Sequence, residues 1–99
     1  MSSMDKKLPD RLMRDIRKYA VQNNVDSVIL FGSRARGTHY DRSDVDLAVK
    51  GGAFEAFAED IHDKAFSLLA FDIVKYDDDM SHELRNEINR DGVVIYEKI

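Results

Sequence analysis

The segment from Asp44 to Val49 constrains the fold most, because charged and apolar residues alternate along it. Successive side chains of a β-strand point to opposite faces, so Val45, Leu47 and Val49 share one face of a strand. Asp44 and Asp46 share the other face. At about 4 Å, two such carboxylates repel by roughly 1 kcal/mol in water and about 4 kcal/mol near a protein surface. A bound cation would relieve that repulsion.

Apolar residues that recur every three or four positions predict amphipathic helices, and short apolar runs rich in β-branched residues predict buried strands. These patterns predict helices over 9–22, over 54–69 and from Ser81 to Gly92, and further strands over 25–31, 71–76 and 93–96. A helical turn is expected over 33–36, a loop over 38–43 and an acidic turn over 77–79. Helices interleaved with strands predict an α/β (α+β) fold, with a small mixed β-sheet flanked by helices.

Length and composition limit the classes of protein that the chain can represent. Ninety-nine residues with 43% apolar and 34% charged side chains predict a single folded domain over 1–99. The net charge of −4 gives no general attraction to nucleic acid or to anionic membranes. No cysteine is present, which excludes disulfides and thiolate metal sites, and no apolar stretch approaches a membrane span. We expect a cytoplasmic protein.

Gly32 and Ser33 follow the first predicted strand at the start of a helical turn. A glycine there lets the backbone approach a ligand closely, and free N–H groups with a hydroxyl suit a phosphate. Between Gly32 and Ser43 there is one aspartate and three arginines, namely Arg34, Arg36 and Arg42. Basic charge is therefore concentrated beside the turn. A tight turn with solvated arginines is the alternative interpretation.

Asp72 is a third candidate carboxylate, inside the apolar run 70–74. An unpaired charge in an apolar environment is costly, so we expect a partner for it. If the third strand lies beside the second, Asp72 completes a triad with Asp44 and Asp46. Carboxylate ligands without cysteine or a histidine cluster favour Mg²⁺ or Mn²⁺, and a triad suits two-metal phosphoryl or nucleotidyl transfer. A solvated polar face is again the alternative.

The order Gly-Ser, about ten residues, Asp-x-Asp and a later strand aspartate resembles the signature of the DNA polymerase β-like nucleotidyltransferase superfamily. The strings 32–37 and 43–47 are similar to its smallest members, the minimal nucleotidyltransferases (MNT), which are commonly the antitoxins of HEPN/MNT toxin–antitoxin pairs. The resemblance covers about 25–96. It implies the nucleotidyltransferase fold, which is like the palm of polymerase β.

The resemblance also implies a reaction. AMP would pass from ATP to a tyrosine hydroxyl of a cognate HEPN toxin, in a hetero-oligomer without direct nucleic-acid or membrane contact. Asp44, Asp46 and Asp72 would be the catalytic residues and would hold two Mg²⁺ ions, with Mn²⁺ as a substitute. The implied nucleotide-binding residues are Gly32, Ser33, Arg34, Arg36 and Ser43.

Two other functions stay open at this point. An antitoxin could neutralise its toxin by binding alone, with an exposed edge strand over 93–96 as the contact. A transferase acting on a small molecule, of the aminoglycoside type, is disfavoured because larger relatives use a further domain for the acceptor. His39, His62 and His82 have no spacing typical of metal ligands, and we expect them at the surface.

Overall fold

The computed structural model describes residues 8–37, 44–65 and 69–99. Helices and strands alternate within these ranges, in the order α1 (Asp10–Gln22), β1 (Ser27–Phe31), α2 (Ser33–Arg36), β2 (Val45–Lys50), α3 (Phe54–Lys64), β3 (Phe71–Lys75), α4 (His82–Asp91) and β4 (Val93–Glu97). The predicted elements are therefore confirmed within a few residues, except for the end of the helix predicted over 54–69. The loop predicted over 38–43 lies outside the described residues.

The predicted end of the second long helix is wrong. That helix, α3, ends at Lys64, because Ala65 adopts an extended backbone with φ −65° and ψ 137°. The Ala70 carbonyl, directly before β3, accepts a hydrogen bond of 2.9 Å from the Val45 N–H. Apolar spacing alone did not reveal this early end. Leu68, which the pattern placed on the helix, lies outside the described residues.

The four strands form one mixed sheet in the order β3-β2-β1-β4. β1 is antiparallel to both β2 and β4, whereas β2 and β3 are parallel. Parallel neighbours need a crossover connection, and α3 lies on the connection from β2 to β3. The predicted small mixed sheet is confirmed.

Both faces of the sheet carry helices. Val45, Leu47 and Val49 of β2 are fully buried in the core that also contains residues of α1 and α3. Ala48 points to the opposite face and is also fully buried, in a second cluster with Ile29, Phe31 and Ile88 of α4. The face that carries Asp46 is thus apolar farther along the strand. None of the helices in the described ranges is long and apolar enough to cross a bilayer.

Local sequence signals set both ends of α4. The Ser81 side chain accepts a hydrogen bond of 3.2 Å from the Leu84 N–H, as an N-cap residue does. Gly92 follows the last helical residue and leads directly into β4. The predicted start and stop of this helix are confirmed.

We predict that Ser81→Ala lowers the free energy of unfolding by about 0.5–2 kcal/mol, because it leaves an N-terminal N–H of α4 without its acceptor. Urea denaturation of the purified protein measures the change. Asn86→Ala, at an exposed position within α4, is the control and should be neutral or slightly stabilising. Equal stability of Ser81→Ala and the wild type would show that the cap contributes nothing.

Candidate active site

The C-terminal end of β1 and the N-terminal ends of β2 and β3 meet at one end of the sheet. Phe31, the last residue of β1, lies opposite Asp46 near the start of β2. Asp46 in turn is the register partner of Asp72 on β3. Neighbouring strands lie about 4.8 Å apart and register partners project from the same face. The pairing therefore places the carboxylates of Asp46 and Asp72 side by side, and it confirms that the third strand lies beside the second.

The reason given for Asp72 from the sequence is wrong, although its position is as expected. Its side chain is exposed rather than buried, because β3 is an edge strand of the sheet. The cost of burying a charge is therefore not what places Asp72 beside Asp46. The strand register alone does so.

Partial burial and the neighbouring charges shift the pKa of Asp46. Its pKa is raised, first by partial burial and then by repulsion from Asp72, Asp44 and Glu87. The Arg36 guanidinium acts in the opposite direction and lowers the pKa of Asp46. Asp44 itself is exposed, directly before β2.

This arrangement fits a divalent cation held together with a phosphate ligand. The described residues contain no ready cluster of three histidine or acidic side chains around one point. Mg²⁺ commonly takes only one or two protein carboxylates and completes its shell with water and substrate phosphate oxygens. The repulsion that raises the pKa of Asp46 is the kind that a cation relieves. Asp46 and Asp72, which are register partners, can supply two such carboxylates, whereas the triad with Asp44 and its two ions stays a prediction.

Gly32 brings the backbone against this carboxylate. It follows β1 with φ +76°, a conformation that other residues rarely adopt, and a Cβ built on it would overlap the Asp46 carboxylate. Ser33 comes next and begins α2. The Gly-Ser turn predicted as a phosphate contact is therefore adjacent to the predicted metal ligand Asp46.

The two arginines of α2 occupy different environments. Arg34 is only 4% exposed and packs within the protein, whereas the Arg36 side chain is 42% exposed. Arg36 Nη1 lies 3.8 Å from Glu87 Oε2 and 3.7 Å from Asp91 Oδ2, both on α4. Of the two arginines predicted to bind phosphate, Arg36 is the exposed one, and the role of Arg34 stays a prediction.

Glu87 and Asp91 were missed by sequence reasoning. They are one helical turn apart, which places them on one face of α4. That spacing was visible, but which face of α4 turns toward Arg36 depends on how the helix packs on the sheet. The acidic face is therefore a structural finding.

The remaining sequence predictions have simple outcomes. His62 and His82 are exposed, as expected. The acidic stretch is a turn, in which the Asp79 N–H donates to Asp77 Oδ1 at 3.0 Å. Ser43 and His39 lie outside the described residues.

We predict that Gly32→Ala destabilises the fold more than Gly37→Ala. Both glycines have positive φ, but Gly32 (φ +76°, ψ −155°) lies in a region that is essentially confined to glycine, whereas Gly37 (φ +80°, ψ 15°) is left-handed helical. At Gly37 the new methyl group meets open space, whereas at Gly32 it overlaps Asp46. Urea denaturation should show a larger loss for Gly32→Ala, by about 1–3 kcal/mol. Equal losses in the two variants would contradict the close packing of Gly32 on Asp46.

We also predict that Asp46→Asn stabilises the metal-free protein at neutral pH. A carboxyl whose folded pKa is raised binds its proton more readily when folded, so wild-type stability falls as the pH rises through that pKa. The variant should lack this loss and gain at most about 1 kcal/mol at pH 7, because solvent screens the partly exposed site. Unfolding between pH 4 and 7 in EDTA measures the difference. Asp79→Asn, in the exposed turn, is the control, and a gain of the same size there would refute the local cause.

Comparisons with known proteins agree with this geometry. A chain of a toxin–antitoxin crystal structure with AMP-PNP superposes with a TM-score of 0.69 at 21% identity, covering 87% of this chain and 73% of that one. A chain of the toxin–antitoxin MntA-HpeT, in a double aspartate-to-glutamate variant, gives 0.67 at 19% identity with the same coverage. A nucleotidyltransferase described as putative, from Sulfolobus solfataricus, gives 0.53 at 17% identity over 99% of this chain and 91% of that one. These likenesses show a shared nucleotidyltransferase fold.

Sequence comparison identifies the family directly. A search of curated proteins found no significant match. The family model described as polymerase beta, nucleotidyltransferase, matches residues 14–99, which include the whole candidate site. The chain therefore belongs to the polymerase β nucleotidyltransferase family.

Proposed function

We propose that the protein is an antitoxin that works as an enzyme. It transfers AMP from ATP, with Mg²⁺, to a tyrosine hydroxyl of a HEPN toxin. The observation that carries this proposal is the pairing of Asp46 with Asp72 in the sheet. It lies at the end of the sheet where Gly32 packs against Asp46. Paired carboxylates beside a close-packed glycine turn suit a metal-bound triphosphate.

Two of the similar structures support the antitoxin assignment. Both are toxin–antitoxin complexes, and one of them contains AMP-PNP. The second carries two aspartate-to-glutamate substitutions two positions apart, which is the spacing of Asp44 and Asp46. The HEPN partner and the tyrosine acceptor come from the family resemblance.

Each residue of the site has a role in this reaction. The backbone at Gly32 and Ser33 contacts the terminal phosphates, and Arg36 supplies a guanidinium, which suits phosphate oxygens. Asp44 and Asp46 would hold Mg²⁺, and Asp72 would contribute a further ligand oxygen. When bound, the metal would neutralise phosphate charge and favour departure of pyrophosphate.

Asp72 has the accessibility that the acceptor requires. The acceptor oxygen forms a bond to the α phosphorus, and the bond from that phosphorus to the departing pyrophosphate oxygen breaks. The hydroxyl proton leaves with the help of a base, and the exposed Asp72 is the candidate for that base. Asp44 and Asp72 are both exposed, which makes their carboxylates accessible to a hydroxyl of a partner protein.

An antitoxin that acts by occlusion alone is the second candidate. β4 forms the other edge of the sheet, and its Val94 is 54% exposed. An unpaired edge with an exposed apolar residue is a surface that a partner can cover. In this case neutralisation would need neither metal nor Asp44.

We predict that Asp44→Asn/Asp46→Asn lowers AMP transfer by at least about 10³-fold, because it removes two charged ligands of the metal. The wild type or variant is incubated with its co-purified toxin, ATP and Mg²⁺, and intact mass spectrometry of the toxin measures added AMP. The wild type should add one or more AMP units, and EDTA should prevent the addition.

Asp78→Asn/Asp79→Asn is the control for this experiment. It removes the same charge from the exposed acidic turn and should leave transfer unchanged. A tight complex that protects against the toxin with no mass change in the wild type would overturn the enzymatic proposal and favour occlusion.

A further inference from the structure

We propose that Glu87, assisted by Asp91, holds Arg36 as a displaceable counter-charge that passes to the triphosphate when the nucleotide binds. The inference rests on the proposed nucleotide site and adds a positioning function for α4. Glu87 is thus a positioning residue that acts through Arg36.

The geometry of the ion pairs makes them easy to exchange. The distances of 3.8 Å to Glu87 and 3.7 Å to Asp91 are longer than a hydrogen bond between charged groups. The side chains of Arg36 and Glu87 are 42% and 37% exposed, so solvent weakens their attraction. A triphosphate offers a higher charge and oxygens that match the guanidinium.

The position of Arg36 connects it to the phosphate turn. The backbone N–H of Arg36 donates a hydrogen bond of 3.2 Å to the Gly32 carbonyl, across the single turn of α2. The side chain therefore starts one helical turn from the residues that contact the phosphates.

Asp91 has a second cationic partner, Arg90, besides Arg36. Glu87 is the main competitor of the triphosphate for Arg36. Asp91 Oδ2 also accepts hydrogen bonds of 3.2 Å and 3.0 Å from the Nε and Nη2 atoms of Arg90. Its charge stays paired after Arg36 leaves.

The test measures AMP-PNP binding by calorimetry with Mg²⁺ and, separately, in EDTA. Glu87→Gln keeps the side-chain size and removes the competing charge, so it should lower the Kd by about two- to fivefold. Glu83→Gln, one turn earlier on the same helix and exposed, removes the same charge and should leave the Kd unchanged. In an Arg36→Gln background, Glu87→Gln should no longer improve binding.

The outcomes separate the inference from the proposed function. If the wild type binds AMP-PNP and Glu87→Gln leaves the Kd unchanged or raises it, the role of Glu87 is overturned. The proposed nucleotide site is then left intact. A gain that persists in the Arg36→Gln background shows direct repulsion of the nucleotide by Glu87, and it also overturns the exchange of Arg36. No binding of AMP-PNP to the wild type contradicts both the inference and the proposed nucleotide site.

Discussion

The parallel pairing of β2 with β3 is the contact on which the candidate site depends. It aligns Asp46 with Asp72, two residues that are 26 positions apart in the chain, and it requires the crossover through α3. A shift of β3 by one residue would place the Asp72 side chain on the opposite face of the sheet from Asp46. The apolar neighbours of Asp72 fix the register, because Phe71 and Ile73 pack against the main core that contains Leu47. Packing energy thus holds two like charges together.

The helix α4 determines how the charges at this edge are arranged. Ile88 anchors it on the sheet beside Ala48, which leaves Glu87 and Asp91 near Arg36 at the site. Acidic residues therefore surround Asp46, and Arg36 is the opposing charge that lowers the pKa of Asp46. An edge with this excess of negative charge favours a cation, and a bound cation makes it able to accept a triphosphate.

Much of the fold followed from local patterns. Period-two alternation identified β2, the apolar run identified β1, and Ser81 and Gly92 marked the ends of α4. The end of α3 did not follow, since the apolar pattern of the sequence continues past Lys64 whereas Ala65 already has an extended backbone. The sequence also predicted Gly32, Asp46 and Asp72 as one site, but for Asp72 the argument from burial was wrong. Glu87 and Asp91 depend on the orientation of α4, which local spacing does not determine.

The most direct test of this account locates a bound metal. Mn²⁺ with AMP-PNP can be titrated into ¹⁵N-labelled protein while paramagnetic broadening of the amide signals is recorded. The account predicts that broadening begins at the amides of Gly32, Asp46 and Asp72 together and weakens in Asp46→Asn. Broadening centred on the acidic turn at 77–79, with sharp signals at Gly32 and Asp72, would contradict the central claim.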